Sequence, residues 1–313
     1  MTFALQILSI FGLIACGWFA RKRRMISGQG TGELAHIATD LIYPALVFVS
    51  ILQLSADDLF ANALLPALVM VIAFVGFSLG LIAVRFLGRV PAETSRAFLF
   101  HCLMNNYLFL PLPMVLFLYG ERGVALLVYS SVGYELILWT LGVFLFTGKK
   151  EPFSRRIKQM ISPPFVALLL GLAIVCIRDL LAVQLSGMAA ALSESLVFVA
   201  QMLGQGTVAV SVIVAGSRFA VMKSQTILGW RIWFVSAIRL IVVPLAFIPL
   251  LAWLPLEPMA RGILVIVAVM PSAMVSVLFS ERYGGDSEFI AGGLLMTHLW
   301  ALLSVPLFLA WLL

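Results

Sequence analysis

The chain has 313 residues, of which 63% are hydrophobic and only 11% are charged, and its mean hydropathy is +1.12. This composition excludes a soluble globular domain and is that of an integral membrane protein with little chain left for an extramembrane domain. The net charge of +6 does not indicate nucleic-acid binding, because in a membrane protein the position of Lys and Arg along the chain reports orientation.

The bilayer core is ~30 Å thick, and a helix needs about 20 apolar residues to cross it. Apolar runs of that length recur along the whole chain, so we predict one all-α membrane domain with ten transmembrane helices. The predicted spans are residues 3–20, 34–54, 62–86, 95–118, 123–147, 163–181, 194–216, 226–252, 261–280 and 289–312.

The first predicted span precedes four consecutive basic residues, Arg21 to Arg24. A cleaved signal peptide carries its positive charge before the apolar segment, so we expect this helix to be retained. The odd-numbered connections and their flanks hold 16 of the 20 Lys and Arg residues. Because short cytoplasmic loops retain Lys and Arg, both termini are predicted to lie outside the cytoplasm.

The longest basic connection, residues 148–162, separates residues 1–147 from residues 163–313 and leaves five predicted spans on each side. We expect it to be a solvated cytoplasmic linker, with an anionic-lipid contact as the alternative. Because five is odd, the second half must enter the membrane from the opposite side. This arrangement is an inverted-topology repeat, which is common in secondary transporters.

Two short matches between the halves support the repeat. YPALVFVSI at 43–51 corresponds to VAVSVIVAG at 208–216 with an offset of 165 residues, and LYGERG at 118–123 corresponds to RYGGDS at 282–287 with an offset of 164. Similar offsets from separate parts of the chain are what a duplicated unit predicts.

The fourth and ninth spans contain interruptions. The fourth contains NNYLFLPLP, and the ninth contains AVMPSAMVS. Proline inside a helix costs ~3 kcal/mol or more, and non-helical backbone persists at membrane depth only where protein buries it or where it lines a wet cavity. Each proline alone could be a tolerated kink, but interruptions at matching places favour two broken helices that cross. The predicted helix breaks are Pro44, Pro111, Pro113 and Pro271.

Broken helices at mid-depth would offer unpaired N–H groups and positive dipole ends, which suit a carboxylate. We therefore predict an anionic substrate that contacts residues from both interruptions and a buried arginine. The predicted substrate-binding residues are Asn105, Asn106, Tyr107, Ser272, Ala273, Ser276 and Arg239.

Two charged residues, Glu135 and Arg239, fall near the centres of the fifth and eighth spans. Intramembrane charge usually faces a partner or a pathway. They could form a structural ion pair with each other. Alternatively, Arg239 anchors the substrate carboxylate and Glu135 carries a coupling proton.

Histidines in or near the spans are further candidates for proton coupling. His298 could relay a proton, whereas a packed, hydrogen-bonded histidine is the plainer interpretation of both His298 and His101. In the seventh span, Gln201, Gln205, Thr207 and Ser211 could line a path or bond neighbouring helices.

Metal, cofactor and enzyme chemistry are not indicated by the sequence. The cysteines, Cys16, Cys102 and Cys176, lack metal-ligand spacing. Neither a phosphate loop nor a metalloprotease motif is present, so we predict no cofactor, no ATP hydrolysis and no enzymatic activity.

Four stretches together resemble the auxin efflux carrier family. They are NNYLFLPLPMVLFLYG, with Asn106, Pro113 and Gly120 at the family's spacing, PSAMVSVLFSERYGGD with the ending LLMTHLWALLSVPL, and DLIYPALVFVSIL. The resemblance covers nearly the whole chain. The chain differs from the family pattern at Pro111, Ala209, His298 and Ala301.

The resemblance implies two inverted five-helix repeats with helices one, two, six and seven as a scaffold and broken, crossing helices four and nine in a mobile part. It also implies a homodimer in a bacterial inner membrane that works by an elevator-type movement. Bacterial relatives include permeases for malonate and malate, so a malonate-like dicarboxylate is the first expected substrate.

We therefore expect a secondary transporter of small organic anions that works by alternating access, coupled to protons or to the membrane potential. The alternatives are an anion channel, a transport-like membrane sensor with the same fold, and a sodium-coupled organic anion symporter. Fold alone does not separate them.

Overall fold

A computed structural model describes residues 2–107, 110–147, 154, 158, 161–182, 186–221, 229–283 and 285–312. Most of the predicted linker at 148–162 lies outside these residues, as do residues 108 and 109 of the fourth span. The described helices are α1 Thr2–Lys22, α2 Gly28–Ile37, α3 Tyr43–Leu52, α4 Ala56–Ala61, α5 Leu64–Ala83, α6 Ala92–Leu103, α7 Pro111–Ile137, α8 Val143–Thr147, α9 Pro163–Leu180, α10 Gly187–Phe219, α11 Trp230–Ala237, α12 Val243–Leu251, α13 Pro258–Ala268, α14 Val275–Tyr283 and α15 Ser287–Leu312.

Within the described chain, seven continuous helical stretches are long and apolar enough to cross a membrane. The predicted spans that are absent from these seven are the first, the fourth and the ninth. A helix occupies the first, whereas the fourth and ninth are each divided between two helices. The chain is thus an all-helical membrane protein by length and composition, and the count of ten spans stays a prediction.

Gly120 divides the long element α7 internally. Its φ of 65° and ψ of −160° are not helical, and glycine adopts this positive φ without the steric cost that a side chain would add. The bend separates the part of α7 that follows Pro111 from the part that continues through a π-helical turn, Leu138–Gly142, into α8. It falls between the predicted fourth and fifth spans.

Two more helical stretches widen into π-helical turns just before a proline. The turn Ala38–Ile42 precedes Pro44, and the turn Ile238–Val242 precedes Pro244. Proline clashes with the carbonyl of the preceding turn, and a wider turn accommodates it without ending the helix. The chain remains helical through Pro44, so the helix break predicted there is instead a local widening.

Helices α1 and α10 pack closely through glycine. A Cβ atom on Gly216 would lie 1.9 Å from the carbonyl oxygen of Ile14, and one on Gly17 would lie 2.3 Å from that of Ile213. Real Cβ atoms do not approach an oxygen so closely, so the glycines permit this helix spacing. Without a hydrophobic driving force between helices in lipid, such close backbone approach is a main source of association.

We expect Gly216→Ala to destabilise the α1–α10 pair, because the added methyl group would overlap the Ile14 carbonyl. Overpacking of this kind costs about 1–3 kcal/mol, so the midpoint of thermal unfolding of the purified protein should fall by several degrees. Gly12→Ala is the control, since a Cβ on Gly12, in the partner helix α1, meets nothing within 4 Å. Equal midpoints for the two variants would contradict the packing described here.

Candidate functional site

The interruptions of the fourth and ninth segments cross and pair with each other. Helix α6 ends at Leu103 and α7 begins at Pro111, while α13 ends at Ala268 and α14 begins at Val275. Between them, Asn105 and Ser272 form an isolated antiparallel β-bridge.

Backbone hydrogen bonds join the two crossing segments. The N–H of Asn106 donates to the carbonyl of Pro271 at 2.6 Å, and the N–H of Ala273 donates to the carbonyl of Met104 at 3.0 Å. The extended backbone of each interruption therefore finds part of its hydrogen bonding in the other, as buried backbone at membrane depth requires.

Arg239 lies in the π-helical turn Ile238–Val242 and completes the pairing. Its side chain is fully buried. The guanidinium donates to the carbonyls of Ala268 at 2.8 Å, Met270 at 3.1 Å and Cys102 at 3.5 Å. These oxygens belong to the C-terminal ends of α6 and α13, so one cation offsets the negative ends of two half-helices.

Of the two alternatives left open by the sequence, the ion pair between Glu135 and Arg239 is not formed. Salt bridges between described residues do not join these two side chains. Glu135 instead accepts a hydrogen bond from the indole N–H of Trp139, four residues along the same helical run, at 2.8 Å. Direct contact of Arg239 with a substrate stays a prediction.

The two adjacent amides have different partners. Asn105 is buried, and its amide nitrogen donates to the carbonyl of Val267 at 2.6 Å, so it also caps the end of α13. The amide nitrogen of Asn106 lies 3.1 Å from Nε2 of His298. Asn105 therefore supports the crossing, and Asn106 links it to α15.

The tautomer of His298 follows from its neighbours. Its Nδ1 atom lies 2.8 Å from the carbonyl oxygen of Leu294, which can only accept, so Nδ1 carries the hydrogen. Nε2 is then an acceptor, and the amide of Asn106 donates to it.

Two buried hydroxyl groups at the crossing have no protein partner. Among the described residues, neither Ser272 Oγ nor Ser276 Oγ has a hydrogen-bond partner, although both residues are fully buried. Buried polar atoms in folded proteins are almost always paired. These two hydroxyls, at the interruption and in the first turn of α14, are therefore available to a ligand.

The remaining predicted contact residues are also at or near the crossing. Ala273 is buried and takes part in it through its backbone. The Tyr107 hydroxyl donates to the carbonyl of Leu127 at 2.7 Å and hydrogen-bonds to Ser130. Because Leu127 and Ser130 belong to the second part of α7, Tyr107 ties the interruption to that helix.

A cavity of about 340 Å³ lies between α3, α7 and α10. It adjoins the start of α7 through Leu112 and Leu116, and Gln201 and Gln205 line it from α10. These glutamines are two of the four polar residues predicted to line a path or bond neighbouring helices, whereas the other two, Thr207 and Ser211, are buried elsewhere on the helix. The residues that line this cavity are Leu46, Val49, Ser50, Gln53, Leu112, Leu116, Glu121, Val124, Gln201, Gly204, Gln205 and Val208.

Sequence reasoning missed three polar lining residues, Ser50, Gln53 and Glu121. The amide of Gln53 donates to the carboxylate of Glu121 at 3.3 Å across the cavity. The available signals were a glutamine at the end of the apolar run YPALVFVSI and a glutamate inside the repeated motif LYGERG. Neither signal indicates that the two residues meet.

Comparison with known proteins adds independent information. A family model described as membrane transport protein matches residues 2–156 and 153–309. The chain is also similar to two uncharacterized transporters from archaea. It is 22% identical to one from Methanothermobacter thermautotrophicus over 302 residues, which cover 96% of this chain and 95% of the relative. It is 22% identical to one from Methanocaldococcus jannaschii over 305 residues, which cover 96% of each.

The position of Arg239 predicts a structural role. Arg239→Met would leave the carbonyls of Ala268 and Met270 without their donor, and each buried unsatisfied group costs about 1–3 kcal/mol. We expect a lower thermal unfolding midpoint in the absence of any substrate. Arg122→Met is the control, because Arg122 is exposed and its salt bridge to Asp58 should contribute about 1 kcal/mol or less. An Arg239→Met protein as stable as the control would contradict this role.

Proposed function

Because this chain belongs to the membrane transport protein family, which confirms the resemblance to auxin efflux carriers, we propose that it is a secondary carrier of small organic anions. A malonate-like dicarboxylate is the first candidate substrate, and alternating access is the proposed mechanism. The observation that carries this proposal is the crossing of two interrupted helices, with a buried cation and unpartnered hydroxyls beside it.

The two half-helix N-termini at the crossing differ in their hydrogen-bond donors. In α7 the first and third residues are Pro111 and Pro113, which have no N–H. The first turn of α14 contains no proline and adds the hydroxyl of Ser276. An anion should therefore bind at the start of α14, where amides, a positive dipole end and hydroxyls converge.

Access to the crossing is proposed to come through the 340 Å³ cavity. The cavity lies between α3 and α10, which belong to the predicted scaffold, and α7, which belongs to the predicted mobile part. Gln53 lies just before, and Glu121 lies within, a connection that the charge distribution places outside the cytoplasm. We propose that this conformation is open to the outside and that movement of α7 against α3 and α10 carries the site across the membrane.

The positions of the interruptions support the proposed inverted repeat. The end of α13 at Ala268 lies 165 residues after the end of α6 at Leu103, and the start of α14 at Val275 lies 164 residues after the start of α7 at Pro111. The sequence matches between the halves have the same two offsets. We propose ten spans in two inverted halves that cross a bacterial inner membrane, with both termini outside the cytoplasm.

A homodimer through the scaffold is proposed together with this architecture. Among the seven candidate spans, α9 and α10 have the smallest buried shares. Their exposed apolar surface is available to lipid and to a second copy of the chain.

Proton coupling is proposed to act through His298 and Asn106. A proton added to Nε2 of His298 turns that atom from an acceptor into a donor. The Asn106 side chain must then present its oxygen, which turns its NH₂ group away from the histidine and makes it available to a carboxylate. The observed hydrogen bond of Glu135 is instead to Trp139, which is outside the two crossing segments.

Labelled malonate in proteoliposomes tests the carrier function. A carrier shows saturable uptake and counterflow, whereas flux that never saturates and lacks counterflow would contradict the proposal and favour a channel.

We expect Ser276→Ala to weaken malonate binding about tenfold, because a hydrogen bond to a charged group contributes about 1.5 kcal/mol or more. The KM for counterflow measures this effect. Since Ser276 Oγ has no protein partner, stability should not change. Ser236→Ala is the control, because Ser236 is also fully buried but its hydroxyl bonds within its own helix, to Ile232. Equal malonate KM values in both variants would remove Ser276 from the site.

A second prediction separates the two proton-coupling candidates. The KM for malonate should depend on pH in the wild type, lose that dependence in His298→Gln and keep it in Glu135→Gln. Uptake measured across a range of external pH, with equal internal and external pH, reports this directly. The reverse pattern would assign the proton to Glu135, and pH-independent transport in the wild type would indicate a different coupling ion.

A further inference from the structure

A second cavity, of about 450 Å³, lies at the C-terminal end of α1 and shares no lining residue with the proposed transport site. Three cationic side chains line it, those of Arg21, Lys22 and Arg24, and none of the described lining residues is acidic. The remaining lining residues are Ile26, Ser27 and Gly28, where α2 begins, and Ala220 and Val221, where α10 ends.

Among the residues that the structure describes, carboxylates do not neutralise the cations of this cavity. Salt bridges between described residues include none to Arg21, Lys22 or Arg24. Arg21 is held in place by its hydrogen bond to the carbonyl of Ile26 at 3.0 Å. Gly28 makes room for it, because a Cβ there would lie 3.0 Å from the Arg21 guanidinium.

Exposed apolar side chains flank the charged cavity. Trp18, Phe19, Met25 and Val221 are 45%, 50%, 74% and 59% exposed. The Lys22 ammonium lies 5.7 Å from the Trp18 ring centre. Aromatic residues beside Lys and Arg are typical of the depth at which a bilayer meets water. The surroundings therefore suit a ligand with a negative head and an apolar tail.

We propose that this cavity binds the headgroup phosphate of an anionic phospholipid, with the acyl chains against Trp18 and Phe19. The charge distribution places the cavity on the cytoplasmic side, where anionic headgroups attract basic segments. Helix α2 adds its N-terminal amides to the three cations. The bound lipid bridges the ends of α1 and α10, the pair that Gly17 and Gly216 bring into contact, and stabilises it.

The test measures binding of dihexanoyl phosphatidylglycerol to the purified full-length chain in detergent. Dihexanoyl phosphatidylcholine tests the need for net negative charge, and glycerol 3-phosphate tests whether a soluble phosphate suffices. Lys22→Gln/Arg24→Gln removes two cavity charges. Arg85→Gln/Arg89→Gln is the matched control, because these exposed arginines lie on the same predicted face and do not line the cavity.

We expect phosphatidylglycerol to bind the wild type and to raise its thermal midpoint, and the Lys22→Gln/Arg24→Gln protein to bind it about tenfold or more weakly. The Arg85→Gln/Arg89→Gln protein should bind it as the wild type does. If both double variants bound phosphatidylglycerol equally weakly, the effect would be one of general surface charge. That result would contradict the proposed site.

Two further outcomes would also contradict the proposal. Equal affinity for phosphatidylcholine would show that the negative charge is not recognised, and equal affinity for glycerol 3-phosphate would assign the cavity to a soluble phosphate instead of a lipid. If the double variant does not fold, Arg24→Gln alone decides the result, because its side chain is exposed. None of these measurements depends on transport.

Discussion

Every backbone N–H and C=O inside the bilayer must find a partner within the protein, and the crossing of the interrupted segments follows from that constraint. Neither interruption can meet this requirement alone. Together they can, because Asn106 and Ala273 donate across the crossing while Asn105 and Arg239 cover the carbonyls at the end of α13. The two breaks are therefore mutually dependent, and the loss of one would leave the other unsatisfied.

The same arrangement determines the electrostatics of the site. The negative ends of α6 and α13 meet the single guanidinium of Arg239, so they do not repel an anion. Two half-helix N-termini remain, and Pro111 and Pro113 remove donors from one of them. The two helix starts at the crossing therefore differ in chemistry, with more hydrogen-bond donors at the start of α14.

Close helix packing and open space alternate around this centre. Glycine lets the backbones of α1 and α10 touch, which favours a pair that moves as a unit. A cavity lined partly by polar side chains instead lies between α3, α10 and α7. In a membrane, where apolar contact between helices has little advantage over contact with lipid, such differences in fit decide which helices stay together. The proposed movement would occur at the cavity, and the proposed lipid would bind at the tightly packed pair.

The sequence by itself determined the properties that are local along the chain. Its hydropathy required a helical membrane protein, its prolines and amides located both interruptions, and its motifs identified the family. Predictions from local patterns were wrong where the outcome depended on how the backbone accommodates a residue. At Pro44, a widened helical turn is present instead of the predicted break. Only the tertiary structure decided which buried groups meet. Arg239 reaches Cys102, 137 residues away, instead of Glu135, and Asn106 reaches His298 across 192 residues. The physical reason is that a buried polar group bonds to whichever partner the packing brings within about 3 Å, and no spacing in the chain encodes that distance.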